Sequence, residues 1–156
     1  MARRTDTVAI WRRLAPLPGG RWLFARLVCR RAPYFATIQP AVVDLRVGRC
    51  EVRMRKRRAV ENHLRTVHAI AICNLAELAA GLVSEATVPA THRWIPKGMT
   101  VEYLRKAESD LRAVAELDLL PKLGAQAEVP VYVTAFDASG ESVLRATVRM
   151  WVTARQ

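Results

Sequence analysis

One segment constrains the architecture more than any other. Ala69–Ala86 is built mainly from Ala, Leu and Ile, carries Glu77 and Glu85, and is apolar nearly all round. A helix with one apolar stripe lies on a surface, whereas a helix apolar on most sides has to be enclosed. From residue 38 the rest of the chain reads with a period of two. Val43, Leu45 and Val47 alternate with Asp44 and Arg46, Gly48 marks a tight turn, and Cys50, Val52 and Met54 alternate with Glu51, Arg53 and Arg55. That pattern predicts a hairpin with one dry and one wet face. A polar link, Arg57–Thr66, leads to the helix, and Pro89–Gly98 after it reads as a loop. Met99, Val101 and Tyr103 alternate loosely, and Leu111–Leu117 alternates cleanly. Val129–Phe136 is apolar on both faces and is expected to be a central strand; Asp137–Gly140 has turn chemistry. Leu144, Ala146, Val148, Met150 and Val152 form one face of a final strand. One helix cannot cover both faces of such a sheet, so the pattern predicts an α+β fold: an antiparallel sheet wrapped around one long central helix.

Composition narrows the class. A chain of 156 residues that is 51% hydrophobic suits one compact domain, and 7 Gly with 8 Pro argue against a low-complexity array. Ala69–Val83 comes nearest to the ~18 apolar residues of a membrane span, but Asn74 and Glu77 interrupt it. The net charge of +11 is almost all arginine, with lysine only at Lys56, Lys97, Lys106 and Lys122. Such a balance points to nucleic acid, an anionic membrane face or a phosphate-bearing substrate, unless it merely solvates the surface. Paired Cys/His zinc spacing, an aromatic ribonucleoprotein motif and heptads behind a basic region are all absent from the sequence, so no specific nucleic-acid partner is expected. Cys29, Cys50 and Cys73 form no C-x-x-C pair. Buried free thiols at Cys50 and Cys73 are expected, which suits a reducing cytoplasm.

Between Met1 and Pro33 lie eight arginines and one acid, Asp6. Taken alone this composition could pass for an organellar targeting peptide, but it lacks a secretory apolar core and a small-residue cleavage site. Val8, Trp11 and Leu14, then Trp22, Leu23 and Leu27, keep helical spacing around a Pro16–Gly20 break. Two short amphipathic helices are expected in residues 1–33, packing on a domain of residues 34–156 or touching an anionic membrane surface.

Polar groups on an enclosed helix are costly unless partnered, so Asn74 and Glu77 need a reason to be there. Three residues apart, they are read as facing one way, on the stripe of Ile70 and Gly81. Just before the helix come Asn62, His63 and His68, an amide and two imidazoles. A metal site from His63, His68 and His92 is not expected: the five-residue gap splits the first pair across a helix, and no acidic ligand stands at suitable spacing. Asn62 also reads as a turn residue, His68 as a helix cap, and Glu77 as a satisfied buried acid.

Asn62, His68 and Glu77 run as an amide, a His six residues on and an acid nine further on. This spacing resembles the phenylacetic-acid-degradation (PaaI-like) branch of the hot-dog-fold thioesterases. There a His-Gly-Gly opens the helix and a helical Asp or Glu follows in the same register. The wider stretch Asn62–Leu82, with Trp94-Ile-Pro-Lys-Gly-Met-Thr-Val-Glu-Tyr-Leu104, is closer still to the DUF4442 family of bacterial hot-dog proteins. The likeness runs from about Tyr34 to the C-terminus.

The resemblance implies a hot-dog fold and hydrolysis of acyl-CoA or acyl-carrier-protein thioesters without a cofactor. Glu77 would attack the thioester or activate a water, and its apolar surroundings would raise its pKa. The N–H groups of Ala69 and Ile70 would hold the carbonyl oxygen. Asn62 would orient carbonyl or water, His68 would fix the loop, and His63, Asn74 and Gly81 would line the pocket. Relatives place the site between subunits, so a homodimer, or a dimer of dimers, is expected. Two departures stand out: His68-Ala69-Ile70 replaces His-Gly-Gly, and Gly81 stands where relatives often carry a hydroxyl. The sequence patterns of hot-dog dehydratases do not occur, while a non-catalytic acyl-thioester binder remains the alternative reading.

Overall fold

The computed structural model describes residues 7–118 and 123–155. Arg3, Arg4 and Asp6 of the basic N-terminal segment, and Lys122, lie outside the described residues. The chain forms α1 (Thr7–Leu14), α2 (Gly20–Arg31), a 3-10 turn (Pro33–Ile38), β1 (Ala41–Arg46) and β2 (Arg49–Met54). The long helix α3 (Ala69–Thr87) follows, then β3 (His92–Tyr103), β4 (Leu111–Glu116), β5 (Gln126–Phe136) and β6 (Ser142–Ala154). The six strands make one antiparallel sheet in the order β1-β2-β4-β5-β6-β3. It curls around α3, as the alternation and the single apolar helix predict.

The inner face is continuous. Cys50, Val52 and Met54 of β2, Val131, Val133 and Ala135 of β5, and Leu144, Val148, Met150 and Val152 of β6 are buried. They form one core with Leu75, Ala76, Ala79, Ala80 and Val83 of α3. The alanines matter here because a short side chain lets sheet and helix backbones approach closely. By length and hydropathy α3 could cross a membrane, yet 56% of its apolar window is buried in the domain.

The two N-terminal helices are present. Trp11 of α1 meets Phe24 of α2 edge-on, with ring centroids 5.1 Å apart. Both rings belong to the main core, and α1 and α2 pack against β1. The break between them requires glycine at Gly20, because a Cβ there would collide with the Leu14 carbonyl.

Four expectations need correction. In β1 the buried residues are Val42 and Leu45, not Val43 and Val47. A bulge at Val43 makes Val42 face Val52 and Asp44 face Glu51, so the extra residue shifts the alternation by one. The stretch read as the loop Pro89–Gly98 is strand from His92, and a second bulge between Pro96 and Gly98 hides its period. Proline is tolerated there because β3 is an edge strand. Strand β5 is central, but only its inner face is buried; Pro130 and Tyr132 lie exposed on the other. Finally, α3 is enclosed on all but one stripe, where Ile70 and Glu77 are exposed and Cys73 and Gly81 half-buried.

Candidate active site

The link from β2 to α3 is a tightly tied loop. Glu61 bridges Val67, and the Val67 N–H donates to the carbonyl of buried Ala107. Within the loop the Asn62 side-chain oxygen accepts from the N–H of Leu64 (3.0 Å) and Thr66 (3.1 Å), while its amide donates to Thr66 Oγ1 (2.9 Å). Arg65 adopts a positive φ of 59° within this turn. Asn62 is therefore occupied in shaping its own loop, the Asx geometry that suits this residue type. His63 is exposed at the loop tip and lines a cleft of about 300 Å³ with Arg58, Glu61 and Arg65.

His68 caps α3. Its Nδ1 accepts from the Ile70 N–H at 3.1 Å, and its carbonyl accepts from Ala71 and Ile72. This corrects one expectation: the Ile70 N–H is bonded to the imidazole and does not point free at a substrate carbonyl. The Ala69 N–H meets no acceptor among the described residues. The His-Ala-Ile sequence thus leaves one of the two expected amide donors open at the positive end of the helix.

Asn74 and Glu77 do not share a direction. Asn74 sits at the margin of the Ile70–Gly81 stripe and is buried, its amide donating to Thr37 Oγ1 at 3.1 Å. Thr37 also receives a hydrogen bond from Arg57 on its carbonyl, so the 3-10 turn, the β2 exit and the helix meet at one residue. The Asn74 side-chain oxygen and Arg57 Nε are buried without partners among the described residues.

Glu77 stays on the exposed stripe. One turn before it lies Cys73 and one turn after it Gly81. Strand β3 supplies two aromatic neighbours that the sequence reading did not place in the site. Tyr103 Oη lies 3.1 Å from Cys73 Sγ. Trp94 lies over Gly81, where an added Cβ would sit 3.3 Å from the ring, and its Nε1 donates to Glu85 at 3.0 Å. Nothing in sequence spacing pairs residues 73 and 103; the alternation of Tyr103 with its neighbours was the only available signal. The Cys73–Tyr103 hydrogen bond, and then burial, pushes the Tyr103 hydroxyl up to about 12. Cys73 is half-buried beside this hydroxyl, not sealed in the core as expected, whereas Cys50 is fully buried and burial drives its thiol upward.

Glu77 thus stands on an otherwise apolar helix stripe, with the Cys73–Tyr103 pair one turn before it and Trp94 over Gly81 one turn after. The apolar surroundings expected for Glu77 are not supplied by the single chain, because that stripe faces outward.

A six-stranded antiparallel sheet wrapped around one long helix is the hot-dog fold of the thioesterase superfamily. Residues 20–152 match the family model described as Domain of unknown function (DUF4442), and the chain belongs to that family. Among solved structures, a structural-genomics target shares 43% identity, with a TM-score of 0.82, across 96% of this chain and 99% of that one. A Pseudomonas aeruginosa protein of unknown function, described as a probable thioesterase, shares 26% identity across 89% of this chain and 97% of that one (TM-score 0.76). A thioesterase family protein from Silicibacter pomeroyi, 21% identical with a TM-score of 0.71 across 84% and 96% of the two chains, adds likeness of fold. No curated protein matches the chain.

Proposed function

We propose that this chain is an acyl-thioester hydrolase acting on coenzyme A or acyl-carrier-protein thioesters, with Glu77 as its carboxylate and a second copy completing the site. The observation that carries this is Glu77 itself: an acid on an otherwise apolar helix stripe, open to solvent, beside an edge strand. Two named relatives of the same fold, one a probable thioesterase and one of a thioesterase family, support the reaction class.

In this reading the thioester carbonyl lies near the start of one copy's α3 and meets the Glu77 carboxylate of the second copy, because eight residues of helix, about 12 Å, separate Ala69 from Glu77 within one chain. The Ala69 N–H and the helix dipole stabilise the charge that develops on the carbonyl oxygen. Glu77 either attacks the carbonyl carbon, expelling the thiolate and leaving a mixed anhydride for water to cleave, or draws a proton from water as it attacks. Trp94, packed on Gly81, walls the acyl side. Asn62 and His68 act by positioning: one sets the loop, the other caps the helix. The cleft of Arg58, His63 and Arg65 supports a contact with carrier phosphate.

The dimer is supported by β3. It ends the sheet, its outer edge has no strand beside it among the described residues, and Ile95 is 61% exposed on it. A partner strand there would cover the edge and dry the stripe that holds Glu77. Three free cysteines support a reducing, cytoplasmic setting.

The test is thiol release from short, medium, long and aromatic acyl-CoAs, with wild type and Glu77→Gln in parallel. Loss of roughly 100-fold or more in the variant, with its fold retained, is the expected result. Equal turnover by both proteins would remove Glu77 from the chemistry. One observation favours a second reading: the Ile70 N–H bonded to His68 leaves a thinner oxyanion site, as a non-catalytic acyl-thioester binder would tolerate. Saturable acyl-CoA binding without thiol release, by wild type, would select that reading.

A further inference from the structure

We infer that α2 and the basic groove beside it dock this protein on an anionic lipid bilayer. The inference uses no residue of α3 and stands whether or not the thioester reading holds. Residues 7–43 contain six arginines and no lysine, aspartate or glutamate. Helix α2 buries Phe24 and Ala25 against the domain. Its outward arc carries Trp22, Leu23 and Leu27 together with Arg26 and Arg30, since these positions adjoin on a helical surface. Trp22 is 66% exposed, and Leu17 and Tyr34, just outside the two ends of the helix, are 55% and 67% exposed. Large apolar side chains set among arginines are the pattern of a helix lying in a bilayer interface, with aromatic rings at headgroup level and cations on phosphate.

The groove beside α2 extends that surface. It has a volume of about 1410 Å³ and is lined by Trp22, Arg26 and Arg30 on the helix side and by Arg55 and Arg112 on the sheet side. Arg26 lies over the Trp22 ring (5.3 Å) and Arg112 over Phe136 (4.2 Å). None of Arg26, Arg30, Arg55 and Arg112 forms an ion pair among the described residues. The two acids of the groove, Asp110 and Asp137, accept backbone N–H groups, form no ion pair with these four arginines among the described residues, and offset only part of their charge.

Other occupants fit less well. A nucleic acid would engage the arginines but leave Leu17, Leu23 and Leu27 bare. A second copy meeting this face symmetrically would set the same arginines against one another.

The experiment is co-sedimentation of the full chain with vesicles of phosphatidylcholine alone and of phosphatidylcholine mixed with phosphatidylglycerol. The protein is expected to pellet with the mixed vesicles and not with the neutral ones, less so as salt rises. Both Leu23→Ser/Leu27→Ser and Arg26→Gln/Arg30→Gln are expected to weaken partition roughly tenfold while circular dichroism stays native. These side chains are exposed, so folding is not at stake; the wild-type arm tests the inference by itself. Failure to pellet with anionic vesicles would overturn it. So would full partition by the leucine variant, which would reduce the effect to charge alone. A leucine variant of lower oligomeric mass than wild type, without lipid, would instead assign the face to contacts between copies and overturn it too.

Discussion

Glu77, His68 and Tyr103 show how far single side chains carry the chemistry. Glu77 keeps to the stripe shared with Ile70, Cys73 and Gly81. Asn74, three residues away, turns inward to Thr37. A rotation of 60° about the helix axis separates a candidate catalytic acid from a structural amide, and sequence spacing does not resolve so small an angle. The His68 imidazole bonds the Ile70 N–H, a local choice that only coordinates reveal. Tyr103 gives a titration test. Its hydroxyl has a pKa raised from 10.0 to about 12, because the Cys73 hydrogen bond and burial favour the protonated form. The sign follows: this contribution is complete below the ordinary tyrosine value and is lost as pH climbs through about 12. In an ultraviolet difference titration of wild type against Tyr103→Phe, the missing tyrosinate is expected to appear late. Cys73→Ala is expected to bring it earlier, and an unmoved midpoint would break the pairing.

At the scale of elements, the loop from residue 61 to 67 is the part most dependent on one side chain. Asn62→Ala removes two acceptor bonds to backbone N–H groups and the donor bond to Thr66. A loss of about 1–3 kcal/mol in urea unfolding is expected. If Asn62 acts by positioning, thiol release at saturating substrate falls far less than in Glu77→Gln; equal losses would return Asn62 to the reacting atoms. The strands teach what sequence can carry. Cys50, Val52 and Met54, and the face from Leu144 to Val152, were legible because each alternation runs unbroken against an enclosed helix. Val43 and the Pro96–Gly98 region were not, because one extra residue in a strand reverses which side chains face inward. For the same reason the start of α3 and its acid could be found in the sequence, while Trp94 and Tyr103, brought beside it by a bulged edge strand, could not.

The whole molecule has two unlike sheet ends. At one, α1 and α2 pack against β1. At the other, β3 presents a twelve-residue strand with Ile95 and Tyr103 exposed. Sedimentation equilibrium is expected to give twice the 17.5 kDa of the chain, or a multiple of that pair, and Ile95→Glu to shift it toward one copy. If wild type is already a single copy, the proposed completion of the site by a partner fails. In the dimer reading, thiol release falls along with the mass, because the stripe around Glu77 is exposed again. The charge of +11 belongs to this scale as well, since the acid-free stretch from residue 7 to 43 supplies six arginines toward it.

The unequal ends of the sheet also bear on how the protein avoids aggregation. A sheet with two bare borders can add copies without limit, and that route leads to fibres. Here the chain's own N-terminal helices pack against β1 at one border, so in the dimer reading self-addition through the β3 border would close after a single step. Deleting residues 7–31 would then do more than remove two helices: it would reopen the second border and turn a self-limiting pair into a polymerising one.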